Sequence, residues 1–282
     1  DKIDKVNKIK KINLIVLNLD SQKRINPKLE KYLIETNKKV LIISKNQPVF
    51  ENNFLFRQET IDKSFFTYFN NDIQYGSKYI LKRILDITLS CIGLVIFSPI
   101  MILLGLYILL IDGYPFFVKQ RRVGLHGEPF NMFKFRTMKK NSHELRATME
   151  ELNKSDGPLF KIEQDPRILK GLSFARKFSI DELLQFINVF KGDMSIVGPR
   201  PHMVEHDIYY SVLFDSFLKR HKCNPGLTGW AQVNGLRGAT PKPEIMKRRM
   251  EYDLWYLNNW SIWLDFYIMI KTFYAILKYK GD

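Results

Sequence analysis

From Ile87 to Ile111 the chain carries no charged residue, whereas the stretches on either side mix apolar and charged positions every few residues. A helix over that run, rising 1.5 Å per residue, would reach about 37 Å, enough to cross a bilayer core of about 30 Å. Upstream, INLIVLN (12–18) reads as a buried strand, PKLEKYLIETN (27–37) as a helix with Pro27 in its first turn, and KVLIIS (39–44) as a second strand. Together these make a βαβ unit. The turn after the first strand, NLDSQKR, has no glycine, so the usual reason to place a dinucleotide there is missing. Residues 62–78 read as a polar, aromatic-bearing connector.

Two features of the apolar run argue against a plain membrane span. Lys78, Lys82 and Arg83 precede it and Lys119, Arg121 and Arg122 follow it, so the excess of positive charge puts both ends on the cytoplasmic side. Ser98-Pro99 stands at its middle, where proline removes a backbone donor and crowds the preceding turn. The expectation is a re-entrant helix hairpin over residues 78–112, broken at Ser98 and Pro99, that enters and leaves by one face. A kinked ordinary span is the alternative, since membrane helices tolerate proline. A buried helix of a soluble core suits a charge-free run of this length less well.

Beyond the run, VKQRRVG and FNMFKFRTM are short alternating segments around a turn at Gly124–Pro129. Side chains alternate along a strand, so Phe133 and Phe135 would face one way and the cations Lys134 and Arg136 the other. Near the end of the chain, WYLNNWSIWLDFYIMIKTFYAILKYK sets Trp255, Trp260 and Trp263 among aliphatic residues and finishes in lysines. That mixture suits an amphipathic helix lying at the level of the lipid headgroups. The fold expected is α/β: a partial Rossmann-like βαβ module at 1–75, the re-entrant hairpin at 78–112, and a mixed α/β catalytic domain with membrane-surface helices at 113–282.

Composition narrows the partners. With 282 residues and 45% hydrophobic content the chain can bury a core, and 44 Lys and Arg against 29 acids leave a net charge of +15. Expected partners are therefore anionic: nucleic acid, a lipid headgroup surface or a phosphorylated substrate. Cys91 and Cys223 are the only cysteines, which argues against a disulfide framework or a cysteine zinc site. The chain begins at Asp1 and shows no signal peptide, so it reads as a cytosol-facing piece of a longer protein.

The chemistry concentrates in RKFSIDELLQFINVFKGDMSIVGPRP, residues 176–201. Asp181 and Glu182 stand side by side after the basic pair Arg176 and Lys177. Ser179 followed by Glu182 also reads as a capping box, with Asp181 suiting the positive end of a helix dipole. Arg200, held between Pro199 and Pro201, is stiffly placed, and its donor fork matches two phosphate oxygens at once. Asp181 could attack while Glu182 binds magnesium, an ion that takes one or two carboxylates and completes its shell with water and phosphate oxygens. Directly downstream, HMVEH places His202, Glu205 and His206 in the H-x-x-E-H pattern of inverted zinc proteases, a short motif that arises easily by chance. His126, His143 and His221 read as surface residues. In NPGLTGWAQVNGLRGAT (224–240) the glycines imply tight turns, from which Gln232, Asn234 and Arg237 could reach a ligand.

In order and spacing, KRILDITLSCIGLVIFSPI, KFRTM, SIDELLQFINVFKGDMSIVGPRPH, PGLTGWAQVNGLRG and EYDLWYLNNWSIWLD resemble the bacterial sugar transferases that start lipid-linked glycan synthesis. These are the polyprenyl-phosphate sugar-1-phosphate transferases, and the resemblance covers about residues 78–280. GPRPH together with PGLTGWAQVNGLRG looks most like the branch that transfers glucose-1-phosphate for exopolysaccharides such as colanic acid. Departures are small: SIDELLQ stands for the usual SLDELPQ, and CNPG for KPG or RPG. The resemblance implies transfer of a hexose phosphate from a UDP-sugar to undecaprenyl phosphate, with UMP released, at the cytoplasmic face of a bacterial inner membrane. It implies Asp181 as nucleophile, Glu182 as Mg2+ ligand, and Lys134 and Arg200 on phosphates, with Arg176 and Asp253 also on functional positions; Arg136 joins Lys134 as a candidate. Nucleic acid is not among the implied partners, and a homo-oligomer is compatible with the resemblance. The rival readings are a membrane zinc protease and a non-enzymatic basic membrane scaffold.

Overall fold

The computed structural model describes residues 14–18, 39–45, 57–61, 64–69, 77–142, 144, 162, 165–214, 216–238 and 242–278. The chain forms two compact units, Asp1–Asp72 and Ile73–Asp282. In the first, strand β1 (Leu14–Asn18) pairs in parallel with β2 (Lys39–Ser44), as a βαβ unit requires. The helix expected at 27–37 lies outside the described residues. The connector reading of 62–78 is corrected: Ser64–Phe69, rich in aromatic residues, is strand β4. It pairs antiparallel with both β2 and β3 (Arg57–Ile61), giving the order β1-β2-β4-β3. Two of the three strand pairings described in this sheet are thus antiparallel, unlike the all-parallel core of a Rossmann unit.

The second unit opens with one helix, α1 (Ser77–Asp112), that contains Pro99. The break expected at Ser98-Pro99 is not a break in the helix. Proline has no N–H for the carbonyl of Val95, four residues back, and the Ser98 hydroxyl donates to that carbonyl instead at 2.8 Å. Lys82, Asp86, Ser90, Gly93, Gly105 and Ile108 are the buried positions of α1, a one-sided stripe at helical spacing. Its other faces are apolar and exposed: Val95 is 73% exposed and Leu110 85%. Only 11% of the apolar window of Tyr79–Asp112 is buried, so this is not the core helix of a soluble domain, and its length and composition are those of a membrane-associated helix.

Both ends of α1 are tied to the same unit. Near its start, Lys82 donates to the Val197 carbonyl at 3.0 Å and to Asp265 at 2.7 Å, and Arg83 donates to the carbonyls of Val189 and Phe190. Near its end, Tyr107 donates to the Lys170 carbonyl, and Asp112 pairs with Arg136.

An antiparallel hairpin follows: β5 (Phe117–Val123) and β6 (Pro129–Phe135), with Phe117 opposite Phe135 and Val123 opposite Pro129. Helix α2 (Ser173–Lys177) precedes a 3-10 turn at Ile180–Glu182, which leads into α3 (Gln185–Lys191). Strand β7 (Ser195–Val197) then pairs in parallel with β8 (Gly226–Thr228). The backbones touch there: a Cβ on Gly226 would lie 2.1 Å from the Gly198 nitrogen, and one on Gly229 2.2 Å from the Gly198 carbonyl oxygen. Only glycine permits that crossing, which sets VGPRP beside NPGLTG. Between these strands run α4 (Val204–Leu213) and a 3-10 segment at Phe217–Lys222; after them come α5 (Trp230–Val233), α6 (Pro243–Asn258) and α7 (Ile262–Lys278). The tryptophan-rich stretch is therefore two helices rather than one. Ile268 of α7 is fully buried, whereas Trp263, Ile270, Phe273 and Tyr274 point outward from it.

One core, built from Met132, Val189, Met194, Val197, Tyr256 and Ile268, joins β6, α3, β7, α6 and α7. A second, built from Ile108, Phe135, Leu169, Leu172 and Leu184, lies under the end of α1. The acidic pair lies between Ile180 and Leu184, both packed into the second core, on the short turn before α3.

Candidate active site

Ser179 adopts a left-handed conformation (φ 56°), and its side chain caps nothing. The capping-box reading is thereby corrected: the Ser179 hydroxyl accepts from Arg237, and only its backbone carbonyl bonds the Glu182 N–H, at 3.1 Å. The turn it opens carries Asp181 and Glu182 inward, each 8% exposed. Burial and the surrounding cations, rather than a helix dipole, therefore set their charge.

The two carboxylates are treated differently. Glu182 Oε1 accepts from Lys134 Nζ at 2.6 Å and from Arg200 Nη2 at 2.6 Å, while Oε2 accepts from Arg200 Nη1 at 3.1 Å. Lys134 arrives from β6 and Arg200 from the proline-flanked loop after β7, so three segments distant in sequence converge on one side chain. Among the described residues no hydrogen bond reaches the Asp181 carboxylate. Burial pushes the Asp181 carboxyl up, against Lys134, while the charge of Glu182 pushes it further and Arg176 and Arg200 pull it back. Burial acts on Glu182 in the same sense, but Arg200 and then Lys134 overcome it and hold that carboxyl well below the usual range. Two adjacent acids are thus driven apart, one held toward its ionised form and paired, the other unbonded.

More cations gather around them. Burial, and after it the charge of nearby Arg200, lower the Arg122 guanidinium to about 10, still protonated at neutral pH. Arg237 feels Glu182, Arg200 and Asp181, and its Nη1 has no partner; neither has Arg122 Nε. The motifs do not single out Arg122 as a site residue, although the hairpin register carries the signal. Lys134 lies opposite Val118, and two-residue alternation places 118, 120 and 122 on the same face.

Other expected residues are used elsewhere. Arg136 lies just past the end of β6, where alternation stops. Its guanidinium pairs with Asp112 and donates to the carbonyls of Pro115, Gly113, Asp112 and Met138, so it clamps the end of α1 instead of facing a ligand. Asn234 is tied to the Trp230 carbonyl and to Lys271 Nζ, both at 2.8 Å. Gln232 is buried, with its Nε2 turned to the Leu227 carbonyl at 3.4 Å. Asp253 is 2% exposed and accepts from Arg220 at 2.7 Å, behind the site. Arg176 remains near Asp181 as a charge, with no bond to it.

The zinc reading fails on geometry. His202 precedes the start of α4 at Val204, so the two imidazoles do not share a helical turn, and its Nδ1 is bound to Arg220 at 2.7 Å. Among the described residues no cluster of three His, Cys, Asp or Glu side chains is placed to hold a metal. His221, expected at the surface, is buried against Asp207 at 3.2 Å. A magnesium ion asks less, since one or two carboxylates suffice when phosphate oxygens supply the rest. Glu182 Oε2, with its single longer bond, fits that requirement.

The profile of the family described as "Bacterial sugar transferase" matches residues 77–279. The chain belongs to the bacterial sugar transferase family. The UDP-glucose:undecaprenyl-phosphate glucose-1-phosphate transferase of Escherichia coli (strain K12) is 42% identical over 197 residues, covering 70% of this chain and 40% of that protein. The similarly named protein of Caulobacter vibrioides is 39% identical over 198 residues, 70% of this chain and 69% of that one. The galactosyl transferase CpsE of Streptococcus agalactiae is 41% identical over 205 residues, 73% of this chain and 44% of that protein. The chain spans about two fifths of the length of several of these bacterial sugar transferases, including the Escherichia coli protein.

Proposed function

We propose that this chain transfers a hexose-1-phosphate, glucose-1-phosphate first among the candidates, from a UDP-sugar to undecaprenyl phosphate, releasing UMP and opening assembly of an exopolysaccharide or capsule repeat unit. The observation that carries the reading is the asymmetry of the acidic pair. Glu182 spends its lone pairs on Lys134 and Arg200, whereas Asp181 keeps its own for attack.

In the first half-reaction an Asp181 oxygen attacks the sugar-bearing phosphorus, the bond from that phosphorus to the bridging oxygen breaks, and UMP leaves with the electron pair. In the second, an oxygen of the lipid phosphate attacks the same phosphorus and the aspartyl oxygen departs, restoring the carboxylate. Splitting the transfer in two lets the same cations neutralise first the nucleotide and then the lipid phosphate. Lys134 and Arg200 would be drawn from Glu182 toward phosphate oxygens, and Arg122 and Arg237 offer donors with no partner of their own. Magnesium, held by Glu182, would supply charge neutralisation at the diphosphate.

The active site lies at the cytoplasmic surface of the inner membrane in this reading, with α1 helical throughout but bent at Pro99, so that it enters and leaves the bilayer by one face. The support is that Lys82 at one end and Asp112 at the other are bonded to one compact unit, which a through-going span would drag across the bilayer. Cysteines at Lys78 and Lys119 should both react with an impermeant thiol reagent from the cytoplasmic side, and reaction from opposite sides would mean a span.

The chemistry is tested without lipid. Purified protein with magnesium and a panel of UDP-sugars, UDP-glucose and UDP-galactose first, should release at most one UMP per site and gain the mass of a hexose phosphate. Release of UMP only when lipid phosphate is added, with no adduct, would make direct transfer the better account.

A further inference from the structure

Arg200 owes its aim to a second arginine that the proposed chemistry does not use. Arg220, from the 3-10 segment, has 2% of its side chain exposed. Its Nη2 donates at 2.7 Å to the backbone carbonyl of Arg200 and at 2.7 Å to Asp253 Oδ2, and its Nη1 donates at 2.7 Å to His202 Nδ1. One planar guanidinium therefore grips both residues that matter in the PRPH turn, the main chain of Arg200 and the ring of His202. The grip is itself fixed: the guanidinium lies over Phe217 at 5.3 Å from the ring centre, and the His202 ring stacks on the same phenyl group. Because an arginine can only donate, His202 must accept at Nδ1 and stay neutral, in keeping with burial and the Arg220 charge that hold its pKa well below the ordinary value.

We infer that Arg220 is the positioning residue of the phosphate site, setting the aim of Arg200, and that Asp253 acts on that site only through Arg220. This rests on the reading of Arg200 as a phosphate ligand. A lysine at 220 would keep the charge but lose the fork that joins three acceptors, so it separates aim from long-range attraction. Asp253, placed by family resemblance on a functional position, then needs no contact with substrate.

The test is a double-mutant cycle on binding of inorganic pyrophosphate, measured by calorimetry on the whole chain in detergent, with thermal unfolding as a check of fold. Arg200→Gln should weaken binding on the order of 10- to 100-fold, as loss of a charge-assisted hydrogen-bonded pair does. Arg220→Lys should cost about as much alone and almost nothing more when added to Arg200→Gln, because it works through that residue. Losses that multiply, or an Arg220→Lys protein that binds like the wild type, would overturn the inference. If Arg220→Lys does not fold, the isosteric Asp253→Asn replaces it in the same cycle, with the same pattern expected and the same pattern fatal. Wild-type protein that does not bind pyrophosphate overturns the phosphate role of Arg200 and this inference with it. Protein that binds pyrophosphate yet releases no UMP sinks the transferase reading alone.

Discussion

Two buried cation–carboxylate clusters in this unit look alike in composition and differ in how far their hydrogen bonds are closed. Where α1 meets α7, Asp265 accepts from Lys82, Tyr256 and Trp260, Lys82 also reaches the Val197 carbonyl, and Asp86 takes the Ser195 hydroxyl and the Ile196 N–H. There every carboxylate is bonded by neighbouring groups. Around Asp181 the bonding does not close: the carboxylate is unbonded among the described residues, and Arg122 Nε and Arg237 Nη1 are buried without partners. A structural cluster satisfies its polar groups internally, because each one left open in a poorly solvated place costs about 1–3 kcal/mol. A cluster that leaves several open has donors and acceptors to offer a ligand, as the proposed function requires.

That contrast can be broken by mutation. Asp181→Asn should abolish UMP release, a loss of about a thousandfold or more, with the unfolding temperature unchanged or raised, since an unpaired buried acid is removed. Asp265→Ala should do the reverse, lowering stability by about 3–5 kcal/mol because Lys82 is left buried and unpaired, with residual activity in whatever protein stays folded. A large loss of stability in Asp181→Asn would erase the distinction.

A smaller effect sharpens the electrostatics. As the proposed nucleophile Asp181 would act only when ionised, and its carboxyl is raised by burial, so the rate of the first half-reaction should fall on the acid side at a pH above the ordinary aspartate range. Lys134 opposes that rise. Lys134→Met should therefore lift the Asp181 pKa further and move the acid limb to higher pH; a limb that stays in place would show that Lys134 does not act on Asp181. Glu182 has the opposite sign: its depressed pKa favours the folded state above the unfolded value, and that stabilisation is lost as pH falls through the folded one. The smallest change is Ser98→Ala, which removes the donor to Val95 and should cost about 0.5–1.5 kcal/mol with little effect on turnover, read by thermal unfolding.

Much of the site is legible in the amino-acid sequence. Alternation puts Lys134 on a definite face, and two prolines mark Arg200 as stiff. Both side chains meet Glu182. What is not legible depends on contacts made across the chain. Alternation holds only while a strand lasts, so it misassigns Arg136, one residue beyond β6. The S-x-x-E spacing suggests a cap, but Ser179 turns left-handed and gives its hydroxyl to Arg237, fifty-eight positions away. Asn234 and Asp253 carry the polarity of ligand contacts yet are consumed by Lys271 and Arg220. The proline at 99 promises a break, and a neighbouring hydroxyl supplies the missing donor. In the first unit the two strands of the βαβ pattern are legible as a parallel pair, but β4 hides in what reads as a connector, because its aromatic residues pair with strands on both sides.

The crossing of β7 and β8 makes one part of this protein far less tolerant of variation than the charged site itself. In a library with every amino acid at every position, the outward face of α1 would accept almost any apolar residue, because only lipid-like surroundings need be satisfied there. Gly198, Gly226 and Gly229 would accept none: the first atom of any side chain lands within 2.4 Å of another backbone. Their columns in such a library would be empty before chemistry is ever selected, and the spacing between the two motifs could then drift only in the residues that loop between them.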